Sequence, residues 1–247
     1  MKILLFDIEN SPIVTWTWGI HSDPMHSTKF VKQDWYVMCW AAKWLGDSEV
    51  MTGALPDHKY NHKRPNDKKT LEGLWKLLDE ADVVIAHNGY AFDRRKANAR
   101  FLIHGMKPPS PYKMIDTLKV ARSTFMFTSN KLGDLGEYLK CGAKMDTGGF
   151  DLWIDCMDGK RSAWRKMVKY CKQDVVLLEK VYLTLRPYIR NHPNQNVYNG
   201  TVKCCPKCGS ANIIKRGSYM TMTGEKDRFS CNDCGGWCNE GRVVKNG

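Results

Sequence analysis

The chain has 247 residues, 43% of them hydrophobic, which is enough apolar material to bury a sizeable core and excludes a wholly disordered protein. The 38 Lys and Arg against 26 Asp and Glu leave a net charge of +12, which favours a polyanionic partner and rules out an acidic solvating tail. No apolar run reaches the roughly 18–20 residues of a membrane span, and Asp7 and Glu9 follow Met1–Phe6 too closely for a signal peptide. The expected location is the cytoplasm, without membrane contact.

In chain order, the apolar run Lys2–Ile8 suits a central strand. The aromatic-rich stretch from about Trp35 to Trp44 and then Glu49–Thr52 read as strands around the Gly46-Asp47 turn. Asp67–Glu80 reads as a helix with Leu71, Leu74, Trp75 and Leu78 on one face, and Val83–Ala86 as a buried strand ending in His87-Asn88-Gly89. Helical patterns follow over about Arg94–His104, Leu118–Thr124 and Lys131–Leu139, with a short strand at Lys113–Asp116. The clearest element is about Ser162–Tyr188, where Trp164, Val168, Cys171, Val175, Leu178, Tyr182 and Leu185 recur in steps of four and three. Strands first, then strands alternating with helices, indicate an α/β domain with a mixed sheet over residues 1–190. An Asn-rich stretch with Pro193 and Gly200 marks a linker over 191–202. The remainder, 203–247, is too small to hold a core without a staple.

Three segments carry acids that this order of elements brings together. Asp7 and Glu9 sit at the carboxyl end of the first strand, where a period of two turns both to one face and Phe6 and Ile8 to the other. Two carboxylates pointing the same way repel and call for a cation, a shared proton or solvent. Taken alone, this spacing fits a solvated strand end better than a site. His87-Asn88-Gly89-Tyr90-Ala91-Phe92-Asp93 gives N-x3-F-D, in which Asp93 would also cap the helix that begins at Arg94. In Tyr170-Cys171-Lys172-Gln173-Asp174, a spacing of four sets the Tyr170 hydroxyl and the Asp174 carboxylate on one helix face. Asp116 reads as a helix N-cap, His87 as a satisfied structural imidazole, and Trp16 and Trp18 as core in preference to base-stacking groups.

Together, in this order and on these elements, the segments resemble the DEDD 3′–5′ exonucleases of the ribonuclease H-like superfamily over roughly residues 1–190. The likeness is closest to the exonuclease domain of family B DNA polymerases and its stand-alone relatives. The histidine branch carries His five positions before the last acid, where this chain has Lys169; the tyrosine branch carries Tyr four before it, where this chain has Tyr170. The resemblance implies a ribonuclease H-like mixed β-sheet flanked by helices, and two Mg or Mn ions held by Asp7, Glu9, Asp93 and Asp174. It also implies water positioned by Tyr170, and substrate or an outer water held by Asn88. The chemistry agrees: two hard cations roughly 3.5–4 Å apart suit phosphodiester hydrolysis, and carboxylates suit those cations. Arg94 and Arg95 follow the second acid segment, and Lys166 and Lys169 precede the third; positive groups flanking an acidic metal site are expected to contact phosphates. His62-Lys63-Arg64 is a further basic cluster, read as a solvated face.

Six of the ten cysteines fall after residue 203, and local C-x2-C pairs in a chain of this type read as metal ligands in preference to disulfides. Cys205-Pro206-Lys207-Cys208-Gly209 and Cys231-Asn232-Asp233-Cys234-Gly235 are two such knuckles joined by a hairpin, and they resemble a zinc ribbon with one structural Zn. Cys204 and Cys238 are spare. The function expected from all this is a metal-dependent 3′–5′ exonuclease on single-stranded or frayed DNA ends, with DNA favoured over RNA. The ribbon would assist nucleic-acid or partner binding, and a polymerase or other replication or repair protein would act in trans. A ribonuclease or structure-specific endonuclease on the same fold, and a catalytically silent nucleic-acid-binding protein, are the readings left open.

Overall fold

The computed structural model describes residues 1–18, 28–195 and 204–239. The elements of the larger part are β1 (Ile3–Asn10), β2 (Val14–Thr15), β3 (Val31–Gln33), β4 (Val37–Trp44), β5 (Met51–Ala54), α1 (Lys68–Glu80) and β6 (Val83–Ala86). After them come α2 (Asp93–Ile103), β7 (Lys113–Asp116), α3 (Thr117–Thr124), α4 (Leu132–Tyr138), α5 (Asp151–Met157) and α6 (Arg161–Leu185). A five-stranded sheet runs in the order β5-β4-β1-β6-β7. β4 is antiparallel to both its neighbours, while β6 and β7 run parallel to β1, so the sheet is mixed, as the element order predicts.

β1 is the central strand and both of its faces are covered, which is why its first half is apolar throughout. Leu4, Phe6 and Ile8 pack with Leu71, Leu74 and Leu78 of α1 and with Ala97 and Phe101 of α2. Ile3 and Leu5 pack on the other side with Cys171, Val175 and Leu178 of α6. Each of these fully buried leucines contributes roughly 1.5–3 kcal/mol by leaving water. Asp7 and Glu9 continue the α6 face at the point where the strand emerges from the core.

Two buried ionic groups fix the layers. Asp67, fully buried just before α1, accepts hydrogen bonds from the Val37 amide at 2.8 Å and from Arg100 Nε and Nη2 at 2.8 and 2.6 Å. His104 Nε2 lies 2.6 Å from the same carboxylate, so one side chain ties α1, α2 and the start of β4 together. Lys43 of β4 pairs with Glu179 of α6, which packs on that face of the sheet, and the Glu179 carboxylate also accepts the Gly46 amide.

The structure departs from the sequence reading in four places. The two-residue and three-residue strands β2 and β3, and the seven-residue helix α5, are additions. Asp93 is the first helical residue, with Phe92 before it in the cap position, so Asp93 makes no side-chain cap. Trp16 and Trp18 are not core: they are 65% and 102% exposed, because the β2–β3 ribbon leaves the main sheet and no layer among the described residues covers it. Most of the expected linker, 196–202, lies outside the described residues.

The C-terminal part is a three-stranded sheet, β8 (Ile213–Thr221), β9 (Gly224–Cys231) and β10 (Trp237–Asn239), in the order β10-β9-β8. It sits against the end of α6: the Lys207 ammonium donates to the Pro187 carbonyl, and Gln195 Nε2 donates to the Lys207 carbonyl at 2.8 Å. No helix among the described residues is long and apolar enough to cross a membrane.

Candidate functional site

Asp7, Glu9 and Asp174 converge where β1 emerges beside the middle of α6. Each offers a carboxylate oxygen, and these oxygens all lie within 4.8 Å of one another. Asp93, on the first turn of α2, stands outside that trio yet close enough for its charge to act on both Asp7 and Glu9. Its side chain is buried, and one of its oxygens, like one oxygen of Asp174, is enclosed without any hydrogen-bond partner. Beneath the trio the Cys171 thiol lies 3.7 Å from an Asp7 carboxylate oxygen.

The electrostatics follow from packing four acids into one rim. Desolvation, then repulsion from Glu9, Asp93 and Asp174, holds the Asp7 carboxyl well above the usual carboxylate range. Desolvation and the Asp174 charge push Glu9 up to about 8. Burial raises Asp93 to about 7, moderated by its own and the Ile8 backbone amides. Burial also raises Asp174, although Lys144 pulls the other way. Gathered carboxylate oxygens, two enclosed oxygens without partners and like charge that a single lysine offsets only in part are what a site for hard divalent cations requires, so the residues fit Mg or Mn.

Lys144 is the group that sequence reading missed. It comes from the segment between α4 and α5, and its ammonium lies 2.6 Å from Asp174 Oδ2 while donating to the Tyr170 hydroxyl at 2.9 Å. A single lysine in a stretch rich in Gly, Lys and Asp follows no period; only the absence of any cation facing four acids could have asked for it. Tyr170, one helical turn before Asp174, packs edge-on against Trp153, and its hydroxyl is held neutral, burial pushing it up to about 12.

The second acid segment is shaped by Asp116, whose N-cap role is observed: Oδ1 accepts the Leu118 and Lys119 amides at 3.0 and 3.3 Å. The same carboxylate accepts the Asn88 amide at 2.9 Å and the Tyr90 amide at 3.1 Å, so four backbone amides engage it. Asn88 takes a left-handed conformation, φ 67°, which asparagine tolerates better than most residues, and this turn aims the chain into α2. His87 Nδ1 lies 2.9 Å from Thr117 Oγ1, as a structural imidazole would. Of the expected phosphate contacts, Arg94 stacks on Tyr90 at 4.8 Å and lines a cleft with Asn98 and Leu102. Lys166 donates to the Thr147 carbonyl at 2.9 Å, and Arg95 and Lys169 are exposed.

The second metal-type group is the cysteine tetrad. Cys205, Cys208, Cys231 and Cys234 present sulfurs within 4.8 Å of one another, with Cys205–Cys234 and Cys208–Cys231 each at 3.6 Å. Tetrahedral zinc with Zn–S of about 2.3 Å would set sulfurs about 3.8 Å apart, so the tetrad fits a closed structural ion. Gly209 and Gly235, at φ 76° and 71°, make the left-handed turns that close the two knuckles. Cys238 is buried on β10 outside the tetrad.

Residues 46–186 match the RNase_H_2 family of the ribonuclease H superfamily, a span that holds Asp93, Tyr170 and Asp174 and begins after Asp7 and Glu9. Among solved structures, the fold is similar to that of the family B DNA polymerase from the hyperthermophilic archaeon Pyrobaculum calidifontis. The two are 16% identical with a TM-score of 0.53 over 76% of this chain and 25% of the polymerase chain, so this chain spans about a quarter of its length. No curated protein matches. On the family match over more than half its length and the mixed sheet described above, the chain belongs to the ribonuclease H superfamily.

Proposed function

We propose that the protein is a metal-dependent 3′–5′ exonuclease that shortens single-stranded or frayed DNA ends. The observation that carries this reading is the meeting of Asp7 and Glu9 with Asp174, remote from them in sequence, and with Tyr170 one turn before Asp174 on its helix. Superfamily membership supports a nuclease; the 3′–5′ direction and the DNA preference rest on the resemblance of the three acid segments to the tyrosine branch.

Asp7, Glu9, Asp93 and Asp174 would hold the ions. Two bound divalent cations would supply charge neutralisation at the phosphate, a hydroxide near neutral pH and stabilisation of the leaving 3′ oxygen. Tyr170, whose hydroxyl stays protonated, orients the attacking water by hydrogen bonding and does not abstract its proton. Lys144 holds that hydroxyl in place. Asn88 would hold the substrate strand or an outer water. The cysteine tetrad would hold one zinc ion, and the ribbon would help engage nucleic acid or a polymerase or repair partner supplied in trans.

A 5′-labelled oligonucleotide incubated with Mg or Mn should give a ladder of 3′-shortened products on DNA, weaker on RNA, and none with Asp7→Asn. Absence of shortening sinks the reading, and internal cuts on circular single strands replace it with an endonuclease.

A further inference from the structure

Along the rim where β4 begins and β5 ends, two clefts of about 800 and 890 Å³ share His62 on their walls and form one groove. Lys32, Lys63 and Arg64 line the first, and Arg161 and Arg165 from the first turns of α6 line the second. None of these five cations pairs with an acid among the described residues. The acids on the walls are Asp34, Asp57 and Asp158, and Asp57 already accepts the Ala54 amide at 2.7 Å. Cations therefore outnumber acids, and the cluster His62-Lys63-Arg64, exposed as expected, also lines the groove.

The groove also has an aromatic platform connected to the carboxylates. Trp35 lines it, with the Lys96 ammonium 3.6 Å and the Arg100 guanidinium 5.7 Å from its ring. Lys96 is one turn of α2 beyond Asp93 and lies 5.8 Å from the ring of Phe92, the exposed residue just before that acid. Phe92, Lys96 and Trp35 thus make a continuous path from the acid site into the cleft. Away from duplex ends, an indole on a cleft wall can meet the face of a base only where that base is unpaired.

We propose that this groove takes a single-stranded nucleic acid leading away from the carboxylates, with Trp35 stacking on an unpaired base and Lys63, Arg64, Arg161 and Arg165 neutralising phosphates. The assignment deepens the nuclease reading and rests on it for the position of the strand end. It is tested on the full chain by equilibrium binding of fluorescein-labelled dT12 in calcium, where no turnover is needed. The surface double variant Lys63→Ser/Arg64→Ser should raise Kd about tenfold and reduce the slope of log K against log salt by about 1.4, 0.7 for each of two cations. Trp35→Leu should weaken binding about tenfold with little change in slope, as loss of stacking does. Wild type should bind dT12 at least about tenfold more tightly than a blunt 12-base-pair duplex. A Kd within twofold of wild type with an unchanged slope in the double variant overturns the groove, and equal binding of the duplex overturns its single-strand character. Because this assay is separate from cleavage, loss of the nuclease reading and loss of the groove show in different measurements.

Discussion

Lys144 Nζ lies 2.6 Å from Asp174 Oδ2, an ion pair in which the lysine is about one-third exposed and the carboxylate almost fully buried. It places a positive charge beside the acids that most need one, and the same ammonium fixes the Tyr170 hydroxyl. Lys144→Ala should therefore lower kcat by roughly 10–100-fold with little change in KM, the scale of losing one well-placed group at a reacting centre. Lys144→Arg should restore part of it, since a guanidinium can reach both oxygens. Steady-state kinetics on a labelled oligonucleotide separate this from a merely structural role, in which both variants would lose folded protein and keep kcat per folded molecule.

Asp7 sits among like charges, so neutralising it should relieve the metal-free fold while removing activity. An acid raised in the folded state withdraws stability as pH climbs from its unfolded value through its folded one. With Asp7 raised and Glu9 and Asp93 at about 8 and 7, metal-free wild type should lose stability between about pH 4 and 8. Asp7→Asn should melt about 3 °C or more above wild type at pH 8 without divalent ions. Added Mn should raise the melting temperature of wild type and leave the variant nearly still. Equal responses of the two proteins would remove Asp7 from the ion site.

The opposite pH dependence belongs to His87 and Asp67. Burial outweighs the Asp116 charge and pulls His87 down to about 4, so between pH 6.5 and 4 the unfolded chain takes up a proton that the fold refuses. The His87 contribution alone should fall over that window by on the order of 2–3 kcal/mol, opposing the gain from the raised acids, so it is read as the difference between wild type and His87→Gln. Burial tends to raise Asp67, but Arg100, the Val37 amide and His104 together hold it below the usual range, so its contribution is intact above about pH 4 and lost below. Urea midpoints of wild type and His87→Gln at pH 7, 5.5, 4.5 and 3.5 check this. His87→Gln should gain stability relative to wild type as pH falls from 6.5 to 4 and share its loss below pH 4.

The cysteine tetrad should bind one zinc per chain, read by elemental analysis. Cys231→Ser should remove it and unfold β8, β9 and β10, because so small a module folds with its metal. The main sheet, which has its own core, should keep its melting transition. A full complement of zinc in Cys231→Ser would move the ion elsewhere.

Most of this architecture could be read from residue order because its signals are periodic. The α6 stripe, the β1 alternation and the paired knuckles each repeat a spacing that geometry dictates. What could not be read lacks a period. β2 and β3 are too short to show alternation, and Trp16 and Trp18 looked like core since nothing in a sequence tells that a ribbon will leave its sheet. α5 is seven residues between glycine-containing turns at Gly148-Gly149 and Gly159. Asp93 could be chosen as a functional acid but misplaced as a cap, because cap and first-turn positions differ by one residue. Lys144, Trp35 and Arg64 acquire meaning only from what lies across space from them.

The helix that carries Tyr170 and Asp174 ends at Leu185, two residues before the carbonyl that receives Lys207 of the first knuckle. Eleven residues of helix beyond Asp174 amount to roughly 17 Å of stiff rod. The two metal-type centres are thus joined in series by a strut and not a tether, so a load borne by the ribbon, such as a strand pulled taut across it, would be felt as a tilt of the very side chains that line the carboxylate rim.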